Sequence, residues 1–263
     1  MAKFSANLSM LFTERSFLDR FAAAGRAGFR GVEYMSPYEF PAAEIAARLR
    51  DFGLTQALFD LPLGDMTKGE RGLACLPDRV EEFRKGVARA VEYARALGCP
   101  TVNCLAGVPT HLTKMAEARR TLIENLRYAA DRLGEAGVQM VMEPLNRYDS
   151  PGYFVTHSGR ALDIIDETGS TNIKLQYDIY HMQRMEGDLA ATIERLLPRI
   201  GHVQIAGNPG RHEPSVGEIN FRFLIERLDA LGYGGWIGAE YNPRGRTEDG
   251  LGWFSSYRAK SED

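Results

Sequence analysis

The chain is poor in cysteine. Cys75, Cys99 and Cys104 are the three in 263 residues, an odd number with neither a paired CxxC nor an interleaved histidine spacing. A disulfide-stapled scaffold and a thiolate zinc site are thereby excluded, and buried thiols in a reducing compartment are expected. An excess of one charge is also lacking: 32 basic and 35 acidic residues leave a net charge of -3, spread without long single-sign blocks. That balance excludes the basic footprint of a nucleic-acid binder. No apolar run approaches the roughly 18 residues that cross a bilayer, and no apolar segment with a small-residue cleavage site follows Met1-Ala2-Lys3-Phe4-Ser5. The expectation is a cytoplasmic protein with no membrane partner. Phosphate loops of the G-x-G-x-x-G or Walker type are missing, which disfavours an open dinucleotide-binding sheet. Linkers, low-complexity stretches and composition shifts are missing too, so residues 1–263 are read as a single domain.

What is present is a rhythm. A helical stretch, a Gly-containing turn and five or six mostly apolar residues ending in a polar one recur along the chain. The strands are read at 4–8, 31–35, 54–60, 101–106, 138–143, 173–178, 202–206 and 236–240. Between them apolar residues repeat at helical spacing, as in Val80-Phe83-Val87-Val91 and Leu122-Leu126-Ala129-Leu133. Gly28, Gly53, Gly98, Gly137, Gly169, Gly201 and Gly232 stand where each helix should stop, in the left-handed conformation that costs glycine nothing. Strands this apolar belong to a parallel sheet buried on both faces, and eight βα units in a chain of this length predict an α/β fold, a closed (β/α)8 TIM barrel. Two long connections, 61–77 and 207–220, are read as loops at the barrel mouth, the first as a mobile lid.

In such a barrel the last residue of each strand points into the mouth. Glu143, Asp178 and Glu240 end the fifth, sixth and eighth strands, and Gln204 lies in the seventh. Each is about one βα unit from the next, so adjacent strands bring the four side chains around one point. Three converging carboxylates repel one another unless a cation offsets their charge. An all-oxygen set of Glu143, Asp178, Gln204 and Glu240 favours one hard divalent ion, Mg2+ or Mn2+, over zinc. The competing reading makes these acids helix N-caps or satisfied loop groups.

Several segments carry a resemblance: Lys3-Phe4-Ser5-Ala6-Asn7-Leu8-Ser9-Met10, Met142-Glu143-Pro144-Leu145-Asn146, Asp178-Ile179-Tyr180-His181-Met182-Gln183, and His202-Val203-Gln204-Ile205-Ala206 with Pro209-Gly210-Arg211-His212-Glu213-Pro214. Together with Gly217-Glu218-Ile219-Asn220 they make the chain, over nearly its whole length, similar to the hydroxypyruvate isomerase family of the xylose-isomerase-like barrels. The related ketose 3-epimerases usually carry His where Gln204 stands, which tips the reading toward the isomerases. The resemblance implies that Glu143, Asp178, Gln204 and Glu240 hold the metal, with Glu143 and Glu240 as proton donor and acceptor. It implies interconversion of hydroxypyruvate and tartronate semialdehyde, with a 2-oxotetronate isomerase as the alternative. A ketose 3-epimerase and a non-catalytic metabolite-binding barrel remain open.

A small anionic 2-oxo acid approaching three carboxylates needs a cationic anchor. Arg211, on the loop after the seventh strand, is the candidate, against a surface pairing with Glu213. His181, three residues after Asp178 at a helix start, presents an imidazole to the same mouth, and the resemblance to the epimerases makes it a contact to substrate oxygen. His157 is read as opening a helix, His202 as beginning a buried strand, His111 and His212 as exposed loop residues, and Asp149 as a turn carboxylate. Phe12, Tyr34, Phe59 and Trp253 are read as core before pocket wall. The exposed helices of such a barrel leave a homo-oligomer open, with no patch in the sequence marking its interface.

Overall fold

The structure, a computed structural model, describes residues 2–258. Within them eight parallel strands close into a barrel in chain order: β1 (Lys3–Asn7), β2 (Gly31–Tyr34), β3 (Thr55–Asp60), β4 (Thr101–Asn103), β5 (Gln139–Met142), β6 (Ile173–Asp178), β7 (Ile200–Ile205) and β8 (Trp236–Ala239). Closure is the pairing of β1 with β8, where Lys3 to Ala6 run beside Trp236 to Ala239. The (β/α)8 barrel read from the rhythm is the fold observed.

The helices wrap the outside: α1 (Phe17–Ala27), α2 (Ala42–Asp51), α3 (Val80–Leu97), α4 (Met115–Gly134), α5 (Ser158–Thr168), α6 (Ile179–Met185), α7 (Leu189–Leu196), α8 (Phe221–Ala230) and α9 (Gly252–Arg258). The longer ones are held by an apolar stripe. In α4, Ala118, Leu122, Leu126, Ala129 and Leu133 recur every three or four residues and all are fully buried, facing the sheet. Burying one such Leu side chain stabilises the fold by about 1.5–3 kcal/mol, so the stripe dictates which way the helix lies.

Six of the seven helix-stopping glycines adopt positive φ, from Gly53 at 60° to Gly28 at 94°. Gly201 does not. It lies inside β7, where a Cβ would meet Val141 Cγ1 at 2.8 Å and Lys174 Cβ at 3.0 Å, so its service is close packing between strands. The preceding helix stops earlier, passing at Leu196 into a 3-10 turn over Leu197–Arg199.

The loop 61–77 is only partly the free lid expected. Leu73, Ala74, Cys75 and Leu76 are buried, and the Cys75 N–H donates to the Ala106 carbonyl at 2.8 Å. The tip, with a short 3-10 turn at Met66–Lys68, is the exposed part. All three cysteines are buried free thiols. No helix of the described residues is long and apolar enough to cross a membrane.

Candidate active site

Strand alternation decides what faces the barrel axis. Asp178 pairs in register with Gln204, and Gln204 with Gly238, so Glu240, two residues on, faces the same way. Glu143 follows β5 directly, its backbone carbonyl accepting the Tyr153 hydroxyl at 3.0 Å. Asp60, Glu143, Asp178 and Glu240 are all buried, each 6 % exposed or less. With His181 and Arg211, the residues Asp60, Glu143 and Glu240 line a cavity of about 70 Å³, closed on its dry side by Met35, Leu63, Met66, Leu105 and Leu145. Aliphatic side chains build that wall; Phe12, Tyr34 and Phe59 belong to the core, and Trp253 packs on Phe4 and Tyr241.

Asp178 serves both readings made of it. Its Oδ1 caps α6, accepting the N–H of Tyr180 at 2.7 Å and of His181 at 3.2 Å. Its Oδ2 is buried and accepts no hydrogen bond among the described residues, and the same holds for Glu143 Oε1. Orphaned carboxylate oxygens in a protein interior are costly unless a cation completes them. Asp178, Glu143 and His181 offer ligand atoms within 4.8 Å of one another, a group that could hold a metal ion.

Charge repulsion shows in the acidities. Glu143 is held well above the ordinary carboxyl range by burial first and by Glu240, Asp178 and Asp60 next. Glu240 is pushed up to about 8 by burial, with Arg211 opposing the shift and Asp178 adding to it. Asp60 is raised well above its usual value, chiefly by burial and by Glu240. Asn103 ties this group together, its Nδ2 donating to Asp60 Oδ1 at 3.1 Å and to Glu143 Oε2 at 3.2 Å.

Arg211 reaches the mouth as expected. Its Nη2 lies 3.1 Å from Glu240 Oε2 and 3.5 Å from Asp178 Oδ2, and its guanidinium sits 5.4 Å from the Tyr180 ring centroid. The surface pairing with Glu213 does not occur: Glu213 is buried and its Oε1 accepts the Arg244 N–H at 3.0 Å. Arg211 holds a left-handed backbone with φ of 56°, its carbonyl accepting the Asn242 N–H at 2.7 Å. A non-glycine residue kept in that region is strained by about 1–3 kcal/mol, as site residues often are.

His181 is fully buried against these acids, Nε2 lying 3.6 Å from Asp178 Oδ2 and 3.9 Å from Glu143 Oε1. Burial lowers its pKa to about 4, so the ring is neutral at neutral pH. Its Nδ1 accepts the Asn146 backbone N–H at 3.1 Å and the Asn146 side-chain amide at 2.7 Å. Asn146 cannot flip, because its Oδ1 accepts the N–H groups of Tyr148 and Asp149 at 3.1 and 2.9 Å. A backbone N–H can only donate, so the ring proton sits on Nε2, the nitrogen facing the acids. Asp149 is the turn carboxylate expected, braced by Asn146, by the Tyr180 hydroxyl at 2.7 Å and by Arg184.

Gln204 turns inward. Its Nε2 donates to Glu33 Oε1 at 2.8 Å and its Oε1 accepts Gln176 Nε2 at 2.8 Å. Glu33, fully buried on β2, also accepts Ser5 Oγ at 2.7 Å and lies 2.9 Å from His202 Nε2. It crosses the barrel interior only because β8 has no side chain at Gly238, where a Cβ would stand 2.2 Å from Glu33 Oε1. The remaining histidines fall nearly as expected. His157 precedes α5, His202 is buried in β7 and His111 is exposed, but His212 is half-buried with its Nδ1 on the Asn242 carbonyl at 2.8 Å.

Asp60, Asn103, Glu33 and Asn146 were not singled out by sequence. Asp60 had the same signal as Glu143, a polar residue closing an apolar strand, and Glu33 was a charge in the middle of one. Asn146 stood only as the last residue of the segment 142–146 that carries the resemblance, with no role read for it.

Residues 21–257 match the model of a family described as xylose isomerase-like TIM barrel. The chain belongs to that family. It is 49% identical over 258 residues to the hydroxypyruvate isomerase of Escherichia coli strain K12, covering 98% of this chain and 100% of the relative. It is also 49% identical over 257 residues to the 2-oxo-tetronate isomerase of Cupriavidus necator, covering 98% of this chain and 99% of the relative. Among solved structures, one from Brucella melitensis described as an AP endonuclease, family 2 superimposes with a TM-score of 0.95 at 46% identity, covering 98% of this chain and 100% of that one. The resemblance read from the segments around Glu143, Asp178 and Gln204 is borne out over nearly the full length, and both of these relatives are named as isomerases.

Proposed function

We propose that the protein is a hydroxypyruvate isomerase, interconverting hydroxypyruvate and tartronate semialdehyde with Glu143 and Glu240 as the acid–base pair. The observation that carries the reading is the buried cluster of Glu143, Asp178 and Glu240 with two orphaned oxygens, in a chain 49% identical end to end to a hydroxypyruvate isomerase. The reaction removes a proton from the hydroxymethyl carbon and delivers one to the neighbouring carbonyl carbon through an enediolate, while the hydroxyl proton of the first carbon passes to the oxygen of the second. One glutamate takes the first proton and the other supplies the second; a positioned carboxyl of this kind contributes about 10²–10⁴ in rate. The two directly follow non-neighbouring strands, β5 and β8, and both line the cavity. His181, with its proton on Nε2, donates to a substrate oxygen, while Arg211 offsets the carboxylates and meets the substrate beside them.

The orphaned oxygens of Asp178 and Glu143 fit a divalent cation, and an all-oxygen set suits Mg2+ or Mn2+. Glu143, Asp178 and Glu240 would hold it, with Gln204 as the further ligand that the resemblance implies. When bound, it supplies a Lewis acid for the negative charge developing on the substrate oxygen. His181 stays outside that set, because its Nε2 bears the proton. A cytoplasmic setting belongs to the same reading, supported by three buried cysteines kept as thiols.

Proton NMR of hydroxypyruvate in D2O tests the reading, using chelator-treated protein before and after Mg2+ or Mn2+, with Glu240→Gln to subtract spontaneous enolisation. Metal-dependent appearance of the aldehyde supports it. No change above the variant's background overturns it. The 2-oxo-tetronate isomerase relatives make the four-carbon acid the substrate to run beside it, and faster conversion of that acid would move the assignment by one carbon.

A further inference from the structure

A carboxylate entering this cavity finds its charge unanswered. Glu143, Asp178 and Glu240, once ionised around a divalent cation, carry three negative charges against the ion's two and the one of Arg211. Those groups sum to zero, so the substrate's own charge remains, beside Asp60, a fourth buried acid, which lines the same cavity. Arg211 is already committed, 3.1 Å from Glu240 and 3.5 Å from Asp178.

A second arginine lines the cavity: Arg71, on the loop between β3 and α3, just after its exposed tip. Its Nη1 donates to two carbonyls of its own loop, Glu70 at 2.8 Å and Met66 at 3.4 Å. No carboxylate of the described residues lies within 4 Å of it, and its other N–H groups donate to none of them. Arg71 is therefore a half-buried cation with no counter-charge and most of its planar fork open, the donor geometry that suits a carboxylate.

Its neighbours fix it in place. Glu70 accepts the Asp65 N–H at 2.6 Å and pairs with Arg79 at 2.9 Å. On the other side the Gly72 N–H donates to the Leu63 carbonyl at 2.9 Å, and a Cβ at Gly72 would stand 2.2 Å from the carbonyl oxygen of Leu105. Leu63 and Leu105 themselves line the cavity. The loop is thus pinned to the wall at the residues that flank Arg71.

We propose that Arg71 receives the carboxylate of the substrate and so determines the preference for 2-oxo acids over uncharged hydroxyketones of the same size. The inference rests on the 2-oxo acid reading above and names the residue that reads the acid.

Binding separates the two. Dissociation constants for hydroxypyruvate and for dihydroxyacetone, which replaces the carboxylate with a neutral hydroxymethyl group, are measured by ligand-observed NMR on metal-loaded wild type, Arg71→Met and Arg71→Lys. A charge-assisted hydrogen-bond pair is lost in Arg71→Met, so its Kd for hydroxypyruvate should rise about tenfold to a hundredfold, with Arg71→Lys in between and dihydroxyacetone unaffected. Thermal melts confirm the fold, since the side chain makes no ion pair to lose. A Kd for hydroxypyruvate within twofold of wild type in Arg71→Met overturns the proposal, as does an equal loss for both ligands. Wild type that binds hydroxypyruvate without converting it overturns the catalytic reading alone, and wild type that binds no 2-oxo acid overturns both.

Discussion

Asp178 and His181 grip each other from both ends of one helical turn. Asp178 Oδ1 accepts the His181 N–H at 3.2 Å, while the His181 ring returns to place Nε2 3.6 Å from Asp178 Oδ2. The N-cap that starts α6 thereby also aims the imidazole. Helix-capping and site-building are usually rival accounts of such an acid; here the two oxygens divide the tasks.

The tautomer of His181 is directly observable. Side-chain 15N shifts at neutral pH should report a neutral ring protonated on Nε2, with no titration until the pH falls toward about 4. A proton on Nδ1 would contradict the donor role. His181→Phe should lower kcat/KM by about 10²–10³-fold, the cost of one donor to a developing oxyanion.

Replacing either acid by its amide separates chemistry from folding. Glu143→Gln and Glu240→Gln should each lower kcat by at least about 10²-fold while melting close to wild type, because the amide keeps shape and removes like-charge repulsion. Near-normal turnover in either variant would end the two-glutamate scheme.

Stability should follow pH in an unusual direction. Carboxyls normally fold with lowered pKa values, but Glu240 is held up at about 8 and Glu143 well above its ordinary value, by burial first. Groups raised on folding stabilise fully below their unfolded pKa, and that stability is lost as pH rises through the folded one. Without a divalent cation, Tm should therefore fall between about pH 5 and pH 8. A cation binds the ionised carboxylates and must displace protons at low pH, so saturating Mg2+ or Mn2+ should raise Tm more at pH 8 than at pH 5. A larger rise at the lower pH would contradict the site.

Glu33 is the acceptor at the centre of the barrel. Burial pushes its carboxyl up, but His202, Gln204 and Ser5 outweigh burial and leave its pKa lowered. Glu33→Ala strands four buried donors, on Ser5, Asn7, His202 and Gln204, each costing about 1–3 kcal/mol, so urea unfolding should show a loss of at least about 4 kcal/mol. A loss under about 1 kcal/mol would mean that the network carries little of the fold.

The strand and helix order was readable because a parallel barrel demands it locally. Each strand is buried on both faces and each helix on one, so apolar spacing alone distinguishes β5 from α4. The same logic exposed Glu143, Asp178 and Glu240, since a charge ending an apolar strand has few places to go except the mouth. Gly201 shows where the local rule failed: its reason is not a turn but Val141 and Lys174 on neighbouring strands.

The sequence by itself determined the barrel, the strand-end acids and the loop that carries Arg211, because periodicity and strand length are properties of contiguous residues. Only the tertiary structure decided which oxygen of Asp178 is left open, which nitrogen of His181 carries the proton, and that Arg211 pairs with Glu240 while Arg71 pairs with no acid among the described residues. Those outcomes depend on partners 35 residues away, as with Asn146 and His181, or 29, as with Arg211 and Glu240. Hydrogen bonding and charge act through space, and barrel closure sets the distances over which they act.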